Sequence, residues 1–266
     1  DGDTELYPVW LPEALDFLHR HPEAGGVGGT RDEFYITEQG HLTGEVLHRY
    51  QVQQVTEVRT LGGDGLYRRT ALDKVGTFHP YLALYEEAEL ALRLRKAGYT
   101  LWRLPLPMVR HFSPPRGTLQ EAVRRFRVGF YPRAGQTLRA TFKNGLGGQF
   151  IREFLMNYVI TGAYLVIGLM TLIAAPLDNK GLIAWLACSA AIFVAYLIRK
   201  KSLRGALNGF IARLMVLYGL VVGFFTTELD VDQYPRDVIV VQRQKDVATA
   251  PGHISGKPVV DTASPE

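Results

Sequence analysis

The sequence contains almost no cysteine. The single Cys188 excludes a disulfide framework and a cysteine-ligated zinc site. The excess of positive charge is also small, at a formal net charge of +4, so we predict no nucleic-acid partner. Charged side chains are missing locally as well, from 154–177 and from 181–198. About 20 apolar helical residues cross the hydrocarbon core of a bilayer, so these two blocks exclude a wholly soluble protein.

A third apolar block, 206–227, contains one charged residue, Arg213. We predict a third transmembrane helix here, with Arg213 reaching towards the interface from near its start. The alternative is an interfacial or re-entrant helix. The sequence therefore predicts about three transmembrane helices over 154–227.

The charges that flank these blocks predict their orientation. Residues 122–152 carry seven basic residues and no acidic ones, and 199–204 carry four basic residues (Arg124, Arg125, Arg127, Arg133, Arg139, Lys143 and Arg152; Arg199, Lys200, Lys201 and Arg204). The turn at 178–180 has one charge of each sign. Because cytoplasmic loops are enriched in Lys and Arg, we expect a multi-pass membrane protein whose N-terminal region is cytoplasmic. The polar tail, 228–266, would lie outside if the third block spans, and its end is typical of disorder.

The segment before the first span, 116–153, has an amphipathic pattern. Apolar residues recur at helical spacing with arginines on the other faces (Leu119, Ala122, Val123, Phe126 and Phe130; Arg124, Arg125 and Arg127), and Pro132 ends the pattern. Such a helix suits the surface of an anionic bilayer, so membrane lipids are an expected partner. The alternative is a surface helix of the soluble domain.

The N-terminal region, 1–115, alternates short apolar runs with helical patterns. Glu86 to Ala97 is the clearest predicted helix, with Glu89 and Arg93 as an i,i+4 pair and Gly98 just beyond its end. The stretch Tyr99 to Leu104 alternates like a strand. Strands interleaved with helices predict an α/β layer.

Four segments of this region stand in a characteristic order: Asp1-Gly2-Asp3-Thr4-Glu5, then Gly63-Asp64-Gly65-Leu66-Tyr67-Arg68-Arg69-Thr70-Ala71-Leu72 with Val75-Gly76-Thr77-Phe78, then Glu86-Glu87-Ala88-Glu89-Leu90 continuing to Gly98-Tyr99, and Val109-Arg110-His111. Together they resemble the family 2 glycosyltransferases, which have a GT-A fold. In that family a D-x-D motif, an acceptor-side stretch, an acidic helix start and a strand-ending histidine follow one another. The family also often carries C-terminal membrane helices after a basic amphipathic segment.

The resemblance implies transfer of a sugar from a nucleotide-diphosphate donor. Asp3, together with Asp1, would hold Mg²⁺ or Mn²⁺ against the diphosphate, with His111 as a further ligand or a phosphate contact. Arg68 and Arg69, and the Gly63-Asp64 turn, would contact the substrates. Glu87 would be the general base for an acceptor hydroxyl, with Glu86 in a supporting role.

Each assignment has a structural alternative. An Asp-Gly-Asp triplet is usually only a turn. Glu86 and Glu87 would also suit a helix start because of the helix dipole. His111 would equally serve as a hydrogen-bonded structural residue.

The sequence departs from the family pattern in three ways. It begins where the first half of a GT-A fold would end, so we expect only a partial GT-A-like domain, without the strand and acidic motif that bind the nucleotide base. Position 87 is Glu where the family pattern most often has Asp. The Q-x-x-R-W motif of processive synthases is missing, because Ala122 precedes Arg125-Phe126 in place of Gln.

The preferred interpretation is a membrane-attached inverting glycosyltransferase that acts on a lipid-linked or surface-glycan acceptor. The chain alone is expected to be inactive. A processive polysaccharide synthase is a related alternative. A non-catalytic membrane scaffold is the alternative from another class.

Overall fold

The computed structural model describes residues 3–37, 39–114 and 119–226. One compact unit covers Asp1–Asp232, and it includes both the α/β region and the membrane helices. The predicted metal ligand Asp1 and the predicted polar tail, 228–266, lie outside the described residues.

The described residues of the N-terminal region form a mixed α/β layer, as predicted. Its sheet has six strands: β1 (Thr4–Leu6), β2 (Ala24–Ile36), β3 (Leu42–Arg49), β4 (Thr56–Glu57), β5 (Leu66–Tyr67) and β6 (Thr100–Ser113). The order is β1-β6-β2-β3, with β4 paired to β6 and β5 paired to β2. The central pair, β2 and β6, is parallel, and the other pairs are antiparallel.

Three helices cover this sheet: α1 (Trp10–Arg20), α2 (Arg69–Val75) and α3 (Glu86–Lys96). Trp10, Ala14 and Phe17 of α1 pack on β2 and β6 in one apolar core. Leu90 and Leu94 of α3 lie in a second core and are fully buried. The predicted helix over 86–97 is thus confirmed to within one residue, and Gly98 follows it with φ +90°.

The C-terminal half is helical. The basic amphipathic helix is α4 (Leu119–Arg127), and α5 (Pro132–Lys143) and α6 (Gly147–Phe150) follow it. Pro132 therefore starts a helix that the sequence analysis missed, because proline at the first helical position lacks only an N–H that would be unpaired there. A π-helical turn, Ile151–Leu155, leads into α7 (Met156–Ala174), and α8 (Lys180–Lys200) and α9 (Leu203–Phe225) complete the described chain. The helices α7, α8 and α9 are long and apolar enough to cross a membrane.

The α/β layer packs directly against the helices that follow it. Leu92 of α3, Phe150 of α6, Leu155 of the π-helical turn and Leu220 of α9 share one apolar core. The helices α5 and α9 also approach each other closely, because Gly223 leaves no side chain between its backbone and the Pro132 carbonyl. Within the described residues, no flexible linker therefore separates the α/β layer from the long apolar helices.

Candidate active site

The candidate site lies where β1, β6 and β2 meet. Thr4 pairs with His111 in the antiparallel β1–β6 ladder, which brings the preceding residue, Asp3, beside the histidine. His111 Nε2 lies 3.4 Å from Asp3 Oδ2. The imidazole is largely buried, while the Asp3 side chain is 51% exposed. Two of the predicted metal ligands thus lie together, with one of them open to solvent.

Strand β2 adds two charged residues that the sequence analysis missed, Arg31 and Glu33. Arg31 Nη2 lies 3.2 Å from His111 Nδ1, and Glu33 Oε1 lies 3.5 Å from the same nitrogen. The Glu33 side chain is fully buried and is also paired with Arg49 of β3. A buried carboxylate requires such pairing, because an isolated charge is costly to remove from water.

Arg31 links this end of the sheet to the predicted Gly63-Asp64 turn. Its Nη1 donates to Asp64 Oδ2 at 2.6 Å. A Cβ atom built on Gly63 would lie 3.2 Å from Glu87 Oε1 and 3.7 Å from Arg31 Nη1. The glycine therefore leaves open a space that the Glu87 carboxylate and the Arg31 guanidinium both border.

The two candidate carboxylates begin α3. The preceding residue, Tyr85, has a left-handed backbone conformation (φ 66°), which is uncommon for a non-glycine residue. Glu86 and Glu87 are both half-buried. Burial raises the pKa of Glu86, the charge of Glu87 raises it further, and Arg133 of α5 opposes both effects. Adjacent carboxylates in different environments are a common arrangement at acid–base sites.

The third carboxylate of this helix, Glu89, does not belong to the candidate site. It receives two hydrogen bonds from Arg93, both at 2.8 Å, and a longer one from Asn144. Its side chain is 3% exposed. The predicted Glu89–Arg93 pair is thus present, but it is buried and structural.

A buried hydroxyl also faces this region. Burial raises the pKa of Tyr67, with smaller contributions from the negative charges of Glu87 and Asp64. Among the described residues, the Tyr67 hydroxyl and the Arg31 Nε are buried polar atoms without a hydrogen-bond partner. Such groups are rare in folded proteins, and they are donors that a bound oxygen would satisfy.

The two predicted substrate arginines have other partners. Arg68 donates to the main-chain carbonyls of Leu18, His21 and Ala24, so it holds the end of α1 against β2. Arg69 is exposed and paired with Asp73 in the next turn of α2. Arg31 is the arginine that contacts His111 and Asp64. Its only signal in the sequence is a charged stretch inside an otherwise buried strand.

The predicted metal ligands can be compared with the side chains that the structure brings together. Within residues 3–37, 39–114 and 119–226, no group of three or more His, Cys, Asp or Glu side chains is placed to hold a metal ion. Asp3 and His111 supply two donors of suitable type. Arg31 Nη2 can only donate, so His111 Nδ1 is its acceptor and the imidazole proton lies on Nε2, facing Asp3. A cation bound at Nε2 would have to replace that proton. The residues present therefore fit part of a divalent-cation site.

Comparison with known proteins adds no assignment. No protein-family model matches this chain, and no curated protein matches it significantly.

Proposed function

We propose that this chain acts in a membrane-attached inverting glycosyltransferase, which transfers a sugar from a nucleotide-diphosphate donor to a lipid-linked or surface-glycan acceptor. One observation carries the proposal. A chain of contacts runs from Asp3 through His111 and Arg31 to Asp64, and the Glu87 carboxylate lies beside it. Residues that the resemblance assigns to the donor side and to the acceptor side thus lie in one cluster, although they are far apart in sequence.

Glu87 is the proposed base. Its carboxylate takes the proton of an acceptor hydroxyl, and the acceptor oxygen forms a bond to the anomeric carbon of the donor sugar. The bond between that carbon and the diphosphate oxygen breaks, and the nucleoside diphosphate leaves. A single displacement of this kind inverts the configuration at the sugar, and a positioned base is the group that it needs from the protein.

The opposite end of the cluster serves the donor. Asp3 and His111 would hold a Mg²⁺ or Mn²⁺ ion, which offsets negative charge on the leaving diphosphate when it is bound. Arg31 supports the same role, because a guanidinium pairs well with phosphate oxygens and its Nε has no partner. The Tyr67 hydroxyl is a second free donor near Glu87.

A neighbouring cavity suits the acceptor. It has a volume of about 600 Å³ and lies between the loop Pro80–Ala83, which leads into α3, and helix α5. Arg133 and Gln136 give it polar groups, and Val222 and Thr226 of the α9 end complete its wall. A cavity walled by the loop that leads into α3 and by the end of α9 supports an acceptor that is presented from the bilayer.

The test uses the full-length protein in membranes and a panel of sugar nucleotides. Glu87→Gln should reduce transfer by roughly 10²–10⁴-fold while donor binding is retained, because glutamine keeps the shape and loses the basicity. Glu45→Gln, an exposed residue of β3, is the matched control and should leave transfer unchanged. Near-normal turnover in Glu87→Gln, with loss in Glu86→Gln, would move the base to Glu86. Absence of both transfer and sugar-nucleotide hydrolysis in the unmodified protein would favour the scaffold.

A further inference from the structure

Helix α9 carries a charge at its centre. Arg213 is exposed, and it lies about 15 Å along the helix from Leu203 and about 18 Å from Phe225 at 1.5 Å per residue. The hydrocarbon core is about 30 Å thick. If α9 crossed the bilayer, Arg213 would therefore face lipid near the midplane, where a charged side chain is costly.

The contacts of α7 and α8 define depth in the membrane. Thr171 lies beside Gly181, Gly168 beside Trp185, and the hydroxyl of Tyr164 is hydrogen-bonded to that of Ser189. These pairs show an antiparallel hairpin. When the register of these pairs is extended along α8, Tyr196 lies level with the first turn of α7.

Helix α9 stays near that level. Gly209 contacts Tyr196, and further along α9 Leu217 contacts Gly162. Leu220 then packs with Leu155, the residue just before α7. From Gly209 to Leu220 the helix advances about 16 Å, yet its contacts stay at the level of residues 155–162. It therefore runs at a steep angle to the hairpin.

The end of α9 lies against the α/β side of the molecule. Arg139 of α5 donates to the Thr226 carbonyl at 3.1 Å. Val222 and Thr226 line the cavity beside Pro80–Ala83. A helix that started next to the end of α8 and crossed the bilayer would end on the opposite side from these residues.

The exposed surface of α9 has the pattern of an in-plane helix. Most of its exposed apolar residues share one face (Leu203, Leu207, Phe210, Tyr218, Val221 and Phe225), and Val222 lies to one side of it. At 100° per residue, Arg204 and Arg213 lie about 90° to either side of that face. Cations in these positions reach the headgroups of a bilayer while the apolar face enters the acyl boundary.

We propose that α9 lies along the headgroup–acyl boundary of the bilayer, beside α5, and that the membrane is crossed only by α7 and α8 among the described helices. Its partner surface is the lipid interface, with Arg204 and Arg213 paired to anionic headgroups. Thr226, at the end of α9, then lies on the same side as the α/β layer, where it lines the proposed acceptor cavity. This inference does not depend on the proposed activity.

Cysteine labelling of the full chain in sealed vesicles tests the inference. In a Cys188→Ala background, Ser202→Cys and Asn179→Cys mark the two sides of the α7–α8 hairpin. Thr226→Cys should react with a membrane-impermeant maleimide on the same side as Ser202→Cys. Reaction on the side of Asn179→Cys would overturn the inference.

Depth measurements give a second readout. Spin labels at Leu207, Leu214 and Val221, which follow one face of α9, should report nearly equal depth in the membrane. A spanning helix would instead place Leu214 deepest, by several ångströms, and that result would contradict the proposal. Labels at Val166 and Ile173 of α7 are the control, because they should differ in depth by about 10 Å.

Discussion

Arg95, in the last turn of α3, forms a two-point ion pair with Glu153, in the π-helical turn before α7. The two guanidinium nitrogens lie 2.7 and 2.9 Å from the two carboxylate oxygens, and Gln149 also donates to Glu153. The Glu153 side chain is 6% exposed. The pair fastens the helix that carries the candidate carboxylates to the start of the membrane hairpin.

Removing this pair should destabilise the protein. Glu153→Gln is expected to cost about 1.5–3 kcal/mol of unfolding free energy, since it removes charged hydrogen bonds from a largely buried site. Thermal unfolding in detergent micelles measures the change. Asp73→Asn, which breaks an exposed pair with Arg69, is the matched control and should cost about 0–1 kcal/mol. Equal losses in the two variants would contradict the role given to Glu153.

The same pair predicts an acid-sensitive junction. Hydrogen bonds from Arg95 lower the pKa of Glu153 below its ordinary value of 4.5. A group whose pKa is lowered on folding stabilises the protein above the unfolded pKa, and it loses that contribution as the pH falls through the folded pKa. The stability difference between the unmodified protein and Glu153→Gln should therefore be full at pH 7 and shrink below pH 4.5. A difference that persists unchanged at pH 3 would contradict this.

Glu89→Gln separates structure from catalysis on the same helix. Glu89 is paired with Arg93, which also donates to the carbonyls of Val75, Gly76 and Thr77. Leaving a mostly buried arginine without its carboxylate should cost about 3 kcal/mol of stability. At temperatures where the variant stays folded, transfer should be retained. Loss of transfer at unchanged stability would show that Glu89 takes part in the reaction.

Elements with a strong local pattern were predictable from the sequence. The helix α3 was predicted to within a residue, since its apolar period, its charges and Gly98 all agree. The sequence pattern predicts a helix end at Pro132. Only four residues separate α4 from α5, and a helix that begins again so soon has little apolar periodicity of its own. The stretch 46–58 has no clear apolar period, and its strand residues pair with β2 and β6, which are distant in the sequence.

The candidate site was predictable only in part, for a related reason. Asp3, Asp64, Glu87 and His111 belong to recognisable motifs, and their assigned roles remain predictions. Arg31 joins two of them, Asp64 and His111, and its position follows from the parallel pairing of β2 with β6, which no local pattern reveals. Arg68 also shows this limit, because its three carbonyl partners lie between the end of α1 and the start of β2, 44 to 50 residues earlier in the chain.

Asp3→Ala tests the donor end of the site. Asp3 is the exposed one of the two side chains that would hold the metal ion, so its loss should weaken Mn²⁺-dependent donor binding by the full-length protein. Isothermal titration calorimetry with and without Mn²⁺ measures the effect. Glu5→Ala, two residues further along β1 and also exposed, is the control and should bind like the unmodified protein. Unchanged donor and Mn²⁺ binding in Asp3→Ala would show that the metal assignment is wrong.

Glu86→Gln should change stability with pH in the opposite sense to Glu153→Gln. Burial and the neighbouring Glu87 raise the pKa of Glu86 above 4.5, so ionisation opposes folding as the pH rises. The variant should therefore unfold at a higher temperature than the unmodified protein at pH 8 and at an equal temperature near pH 4. Glu45→Gln should show no difference at either pH. A lower unfolding temperature for Glu86→Gln at pH 8 would mean that the charge of Glu86 is favourable in the folded state.

The last prediction concerns the space beside Glu87. A methyl group at position 63 would lie 3.2 Å from Glu87 Oε1, which is tighter than an ordinary contact, so Gly63→Ala should displace the carboxylate by a few tenths of an ångström. The backbone at Gly63 does not need a positive φ, so folding should be little affected. Because catalysis depends on close positioning of the base, transfer should fall by at least about tenfold with donor binding retained. Gly44→Ala in β3, where the added methyl group has an ordinary contact with Tyr35, should be silent. Full transfer activity in Gly63→Ala would mean that the carboxylate does not act from the position in which it lies here.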